Sequence, residues 1–181
     1  MENINIKEKY NLPDDITYCK KCVISNQRPR ITFDKDGVCS ACNYFEFKRK
    51  IDWEQREKEL IEILDAHRSK DGSYDCVVPS SGGKDSAFVA HELKTKYKMN
   101  PLTVTWSPLK YTEIGWENLI NFNQSGFDVI LGMANGQTVR RLCKDAMIEM
   151  GDPFQPFIYG QVLFPIKIAT KFNIKLVFSG E

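Results

Sequence analysis

Two groups of residues in this sequence have the types and spacing to do chemistry. The first is Ser81-Gly82-Gly83-Lys84-Asp85-Ser86. Two adjacent glycines reach positive φ and, having no Cβ, let a bulky anion lie against the backbone. Successive N–H groups in such a turn form a concave anion site. A helix that starts directly afterwards adds its own unpartnered N–H groups. The side chains of Ser81, Lys84 and Ser86 supply more donors, and Asp85 can hold a Mg²⁺ that bridges phosphate oxygens. The second group is Cys19-Lys20-Lys21-Cys22 and Cys39-Ser40-Ala41-Cys42, two C-x-x-C turns with sixteen residues between them. Each turn aims two thiolates at one ion. Four thiolates fill the tetrahedral shell of Zn²⁺ and leave no position for water or substrate, so the site reads as structural. An iron–sulfur cluster on the same four cysteines is the alternative.

The elements that must position the first group follow from the local pattern. Residues 74–78, Tyr-Asp-Cys-Val-Val, form a short apolar run with β-branched members, as suits an interior parallel strand. Pro79 lacks an N–H and marks where the sheet ladder stops. A crossover helix over residues 85–98 follows the loop, and Asn100-Pro101 breaks it. Residues 102–106 make a second strand. In a parallel sheet its C-terminal end lies beside the first loop, so Thr105, Trp106 and Ser107 are candidates to flank an adenine. A helix is expected from Lys110 to Gln124, a third strand covers residues 127–131, and Asn135-Gly136 leads into a helix that Gly151-Asp152-Pro153 ends. The aromatic run Phe154-Gln155-Pro156-Phe157-Ile158-Tyr159-Gly160 either lines a pocket or caps the core. A last helix with Pro165 near its start or at a kink, and a fourth strand over residues 174–178, complete the pattern. Cys76 in the first strand and Cys143 in mid-helix read as small apolar fillers.

The second group needs a hairpin between its turns, and Asp36-Gly37 supplies the reversal. A helical stretch over residues 44–68, with Asp52 and Gln55 as a capping box, links it to the strand. The expected organisation is an arm over 1–15, a zinc ribbon over 16–50, a linking helix over 51–72 and an α/β domain over 73–181. The expected fold class is α/β, a parallel sheet with helices on both faces.

Composition bounds the rest. A chain of 181 residues holds one ordinary domain and a small appendage. With 42% hydrophobic and 27% charged residues it reads as a soluble globular protein. A net charge of +1 weighs against a dedicated nucleic-acid binder. No apolar run is long enough for a membrane span, and the N-terminus has no apolar signal core, so a cytoplasmic location is expected. The sequence stops at Ser179-Gly180-Glu181, where the loop after a strand would carry ligand contacts. We therefore expect an N-terminal portion of a longer protein.

The string S-G-G-K-D-S after a strand resembles the PP-loop of the ATP pyrophosphatases and is not the common phosphate loop G-x-x-x-x-G-K-[ST]. Taken with the cysteine knuckles over 18–43 and the terminal Val-Phe-Ser-Gly-Glu, the whole chain resembles the N-terminal half of the bacterial N-acetyl sugar amidotransferases. That resemblance implies a HUP-like fold and an ATP-dependent, AMP- and pyrophosphate-forming enzyme. It would convert the acetamido group of an N-acetyl sugar, free or nucleotide-linked, into an acetamidino group for surface polysaccharide or nonulosonic acids. It implies ATP, Mg²⁺ and Zn²⁺ as cofactors, with Ser81, Gly82, Gly83, Lys84, Asp85 and Ser86 on the phosphates. Lys84 and Asp85 would take the catalytic roles, and Gly180 and Glu181 would lie near the substrate. It also implies a separate glutaminase subunit, with a cyclase-like partner, as the ammonia source. Two other readings stand beside it. One is a tRNA thiolation enzyme, which also pairs a PP-loop with cysteine knuckles. The other is a non-catalytic nucleotide-sensing module.

Overall fold

The computed structural model describes residues 5–9 and 11–180. Much of the expected arm over 1–15 is described, but residues 1–4 and 10 of it, and Glu181, lie outside. The chain forms two compact units that divide between Glu57 and Lys58.

The first unit holds the short helix α1 (Ile6–Lys9), the two knuckles, α2 (Ser40–Lys48) and the start of α3 (Trp53–His67). Two isolated antiparallel bridges, Tyr18 with Ser25 and Phe33 with Cys39, shape the knuckles. Between Phe33 and Cys39 the turn closes as expected. Gly37 adopts φ +78°, and Asp34 accepts from the N–H groups of Asp36 and Val38 at 2.9 Å each. Residues 44–68 are two helices rather than one, because the chain leaves helical geometry after Lys48. Asp52 then restarts it by accepting from the Gln55 N–H at 3.0 Å.

The second unit contains β1 (Cys76–Pro79), α4 (Lys84–Thr95), β2 (Pro101–Trp106), α5 (Glu113–Gln124), β3 (Val129–Gly132), α6 (Gly136–Met150) and α7 (Gln155–Lys171). The three strands form a parallel sheet in the order β1-β2-β3, with Val77 opposite Leu102 and Thr105 opposite Leu131. Alternate residues of β1 face different helices. Cys76 and Val78 pack with Leu64 of α3, Ala90 and Leu93 of α4 and Phe122 of α5. Val77 packs with Leu102 and Val104 of β2 and with Ile168 and Ala169 of α7. Each fully buried Val or Leu contributes about 1.5–3 kcal/mol. The buried hydroxyls of β2 have partners: Thr103 donates to the Asp128 carbonyl at 2.5 Å, and Thr105 donates to the Ser80 carbonyl.

Three expectations are corrected. Pro79 does not stop the ladder, since the next N–H, on Ser80, donates to the Val104 carbonyl at 2.9 Å. The segment 174–178 is not a full strand. It joins the free edge of β1 by a single parallel bridge, Val77 with Val177, through two backbone hydrogen bonds. The last helix starts earlier than expected: α7 begins at Gln155, so most of the aromatic run lies within it, with Pro156 in its first turn and Pro165 buried in its interior. Among the described residues no helix is long and apolar enough to cross a membrane.

Candidate functional site

The loop between β1 and α4 is built around Gly82. It has φ +78°, and a Cβ there would stand 3.0 Å from the Leu119 nitrogen and 3.1 Å from the Asn118 carbonyl carbon, both α5 backbone. Only glycine fits both constraints. Gly83 is the N-cap of α4 and offers no side-chain cap, so the first-turn N–H groups of α4 receive no acceptor from it. Inside the loop, Ser80 donates to the Ser86 hydroxyl at 3.3 Å and accepts from the Gly82 N–H at 3.4 Å. Ser80 thus braces the turn, a role the sequence motif did not single out.

The loop opens on a cleft of about 740 Å³ at the C-terminal ends of β1 and β2. Ser81, Gly82, Gly83, Asp85 and Ser86 line it, as does Trp106. Gly180 lines it as well: its backbone returns so close to α4 that a Cβ would sit 3.1 Å from the Ser86 nitrogen. Lys84 and Thr105 are not in the lining. The Lys84 ammonium sits on the Asp85 carboxylate at 2.8 and 3.0 Å with both side chains exposed, an ion pair of little strength. Thr105 is buried, and its hydroxyl fixes the Ser80 carbonyl from beneath. Trp106 is half-buried against α7. A Cβ on Gly160 would fall 2.0 Å from its Nε1, and its ring lies 5.2 Å from that of Phe164. The indole is therefore both helix packing and cleft wall.

Sequence reasoning missed Lys110 and Tyr111, which line the same cleft from the segment between β2 and α5. The helix expected to start at Lys110 begins instead at Glu113, capped by Thr112. A second cleft of about 600 Å³ shares Trp106, Pro108, Lys110 and Phe157 with the first. Cys143 lines it, half-buried, rather than filling a core. Cys76 is the filler it was expected to be: it is fully buried, and burial, with the Asp75 charge, pushes its thiol up to about 12.

In the other unit the four cysteines converge. The sulfurs of Cys19, Cys22, Cys39 and Cys42 all lie within 4.8 Å of one another, with Cys19 to Cys42 at 3.9 Å and Cys22 to Cys39 at 3.7 Å. A tetrahedron of about 2.3 Å metal–sulfur bonds has edges of about 3.8 Å, so the set fits one ion. Backbone N–H groups already serve the sulfurs: Lys21 and Cys39 donate to Cys19 at 3.3 and 3.2 Å, and Cys42 to Cys39 at 3.4 Å. Burial would raise the Cys19 thiol, but the N–H groups of Cys39, Lys21 and Cys22 outweigh it and bring it down to about 6. The Cys22 thiol, its burial and the remaining thiols hold Cys42 up at about 12. At Cys22 the Ile24 N–H acts downward, yet burial and the Cys39 and Cys19 thiols leave it raised. Without a cation the cluster retains protons; a cation would expel them.

No protein-family model matches the chain. Over 104 residues it is 32% identical to uncharacterized protein MJ1599 of Methanocaldococcus jannaschii, a stretch covering 57% of this chain and 37% of that protein. The chain thus spans little more than a third of the curated relative it matches.

Proposed function

We propose that this chain belongs to an ATP-dependent enzyme of the PP-loop class, an N-acetyl sugar amidotransferase, with a structural Zn²⁺ on Cys19, Cys22, Cys39 and Cys42. The observation that carries the reading is the loop itself. Its Gly82 is locked against α5, its following helix has no side-chain cap, and both open on a cleft at the C-terminal strand ends. This is where open α/β sheets bind ligands. The sheet order, with segment 174–178 on the far edge of β1, agrees with a HUP-like arrangement.

The chemistry assigns roles. Ser81, Gly82, Gly83 and Ser86 hold the phosphates, and Asp85 holds the Mg²⁺ that offsets their charge. Lys84 must leave the Asp85 carboxylate to reach the phosphates, which their weak exposed pairing permits. The acetamido oxygen of the sugar attacks the α-phosphorus and pyrophosphate leaves. This turns a poor leaving group into AMP. Ammonia from a glutaminase subunit then adds to the imidate carbon, and AMP departs with the former amide oxygen. Donors fixed before the reaction lower the cost of the charge that develops. The four-cysteine site, with every thiolate on the ion and no open position, takes no part in the reaction.

One observation favours sulfur transfer to tRNA instead: Cys143 lines a cleft contiguous with the first. A single assay separates the readings. The protein is given ATP, Mg²⁺ and ammonium with a panel of acetamido sugars and sugar nucleotides, and separately tRNA with a sulfur donor. Pyrophosphate and AMP release that depends on an acetamido sugar is expected, and Asp85→Ala should abolish it with circular dichroism unchanged. Turnover that depends only on tRNA would overturn the proposal.

A further inference from the structure

The second cleft, about 600 Å³, is not used by the chemistry above. It stands at the C-terminal ends of two strands: Trp106 ends β2 with Ser107 after it, and Met133 and Ala134 follow β3. Val139 and Cys143, one turn apart on α6, supply another wall, and Phe154 and Phe157 at the start of α7 supply a third. Small-molecule sites occupy roughly 300–1,000 Å³ and favour such strand ends.

The lining decides which chemistry fits. Leu109, Met133 and Phe154 line the cleft yet remain 53%, 72% and 67% exposed, so an apolar ligand body would cover them. Apart from the Trp106 indole and the Cys143 thiol, only Ser107 and Lys110 bring polar side chains. The Ser107 hydroxyl already donates to the Pro108 carbonyl at 2.9 Å. A free sugar, with hydroxyls on every side, finds too few partners in such a cleft. A flat ring suits it, because every base has a face that stacks on aromatic side chains. Lys110 is the one charged lining residue and makes no ion pair among the described residues. It borders both clefts, as do Trp106, Pro108 and Phe157. An anionic group attached to the ring therefore belongs at the junction, where it leads into the first cleft.

We infer that the second cleft takes the nucleobase of the acceptor, with the acceptor's phosphates at Lys110 and its acetamido sugar reaching into the first cleft beside ATP. The acceptor is then a sugar nucleotide and not a free sugar. This rests on the nucleotide reading above and deepens it by naming the substrate class.

The test is calorimetric titration of the wild-type protein and of Cys143→Trp, which crowds a wall that the first cleft does not share. The probes are UDP-, CMP-, GDP- and dTDP-linked acetamido sugars, the free sugars, bulk tRNA and, separately, a non-hydrolysable ATP analogue with Mg²⁺. The wild-type protein should bind at least one sugar nucleotide about tenfold or more tightly than the free sugar. Cys143→Trp should weaken that probe about tenfold or more and leave the ATP analogue unchanged. Circular dichroism checks the fold. Should the new indole disturb it, Lys110→Met at an exposed side chain decides: it should weaken the sugar nucleotide about tenfold and leave the corresponding nucleoside unchanged. No preference for any sugar nucleotide over its free sugar would overturn the inference, as would wild-type affinity in the folded variants. Parallel loss of the ATP analogue in folded Cys143→Trp would overturn it too, because the cleft would then hold the adenine. Binding of tRNA but of no sugar nucleotide would likewise overturn it. All of these are distinct from failure of the wild-type protein to bind the ATP analogue, which sinks the nucleotide reading and the inference with it.

Discussion

Gly82 and Gly83 are adjacent in the loop, yet the same substitution should have very different consequences at each. At Gly82 an alanine must hold φ near +78°, a conformation that costs an L-residue roughly 1–2 kcal/mol. Its Cβ would also lie 3.0–3.1 Å from three backbone atoms of Asn118 and Leu119. Those atoms belong to α5, whose Leu119 is buried, so the helix must shift as a body. Overpacking of this kind costs about 1–3 kcal/mol. The sum for Gly82→Ala is roughly 2–5 kcal/mol. At Gly83 φ is −72°, and the nearest contact is the Ser81 hydroxyl at 3.3 Å, which can rotate away. Gly83→Ala should lose only the N-cap preference, about 0.5–1 kcal/mol. Urea unfolding of both variants, followed by circular dichroism, measures the gap. Nucleotide titration should show Gly82→Ala weakened through displacement of the loop and Gly83→Ala weakened less. Equal midpoints for the two variants would refute the argument that α5 pins the loop at Gly82.

Gly160→Ala should destabilise the protein although alanine gains about 1 kcal/mol in a helix interior, because its Cβ would fall 2.0 Å from the Trp106 indole. Paired with Trp106→Ala, the loss should be less than additive in a double-mutant cycle; strict additivity would place the clash elsewhere. Removal of metal by a strong chelator, or Cys39→Ser, should loosen the first unit as read by proteolysis, since a serine hydroxyl can still cap α2 but does not replace a thiolate in the four-sulfur set. Because Cys42 is held near 12 and Cys22 is raised without a cation, Zn²⁺ binding should release protons and weaken as pH falls. Proton release near zero in calorimetry across buffers would count against the site. The hydroxyls of Ser69 and Ser73 hold the Asp71 carboxyl below its ordinary value. Its contribution is present above the unfolded value of about 4 and is lost as pH falls through the folded one. Asp71→Asn should therefore show a shallower loss of urea midpoint between neutral and acid pH, and an unchanged slope would contradict this.

What could be read from the sequence depended on whether residue type alone carries the constraint. The S-G-G-K-D-S loop was legible because no other residue tolerates the position of Gly82. The four-cysteine cluster was legible because cysteines at that spacing have few other uses. The three parallel strands followed from their β-branched runs. Segment 174–178 also has apolar alternation, but strand length depends on how many partners the neighbouring edge offers, and here one bridge forms. Read from sequence alone, the proline and glycine in the run at 154–160 put the last helix after it. Pro156 in fact falls in the first turn of α7, where its missing N–H is not needed, and Gly160 makes room for an indole 54 positions earlier in the chain. Lys110 and Tyr111 have no motif at all. Their place is tertiary: only the fold brings the segment between β2 and α5 to the cleft.

The two ends of the sheet treat their polar groups differently, and this asymmetry is the physical basis of the functional reading. At the end where β1 begins, the buried Asp75 carboxylate accepts from the Ser69 N–H at 2.5 Å and the Asn100 N–H at 2.6 Å, tying the entries to β1 and β2 together. At the other end, α5 and α6 are capped by Thr112 and Asn135, whereas α4, like α7, receives no side-chain cap. There Lys110 lines the cleft and makes no ion pair among the described residues. A fold selected for stability alone would close the start of α4 with a serine at position 83, favourable by roughly a few tenths of a kcal/mol. The uncapped first turn of α4 and Lys110 line one cleft. A bound polyanion satisfies them at once, so binding should stabilise the second unit, and that stabilisation should scale with the number of phosphates the ligand carries.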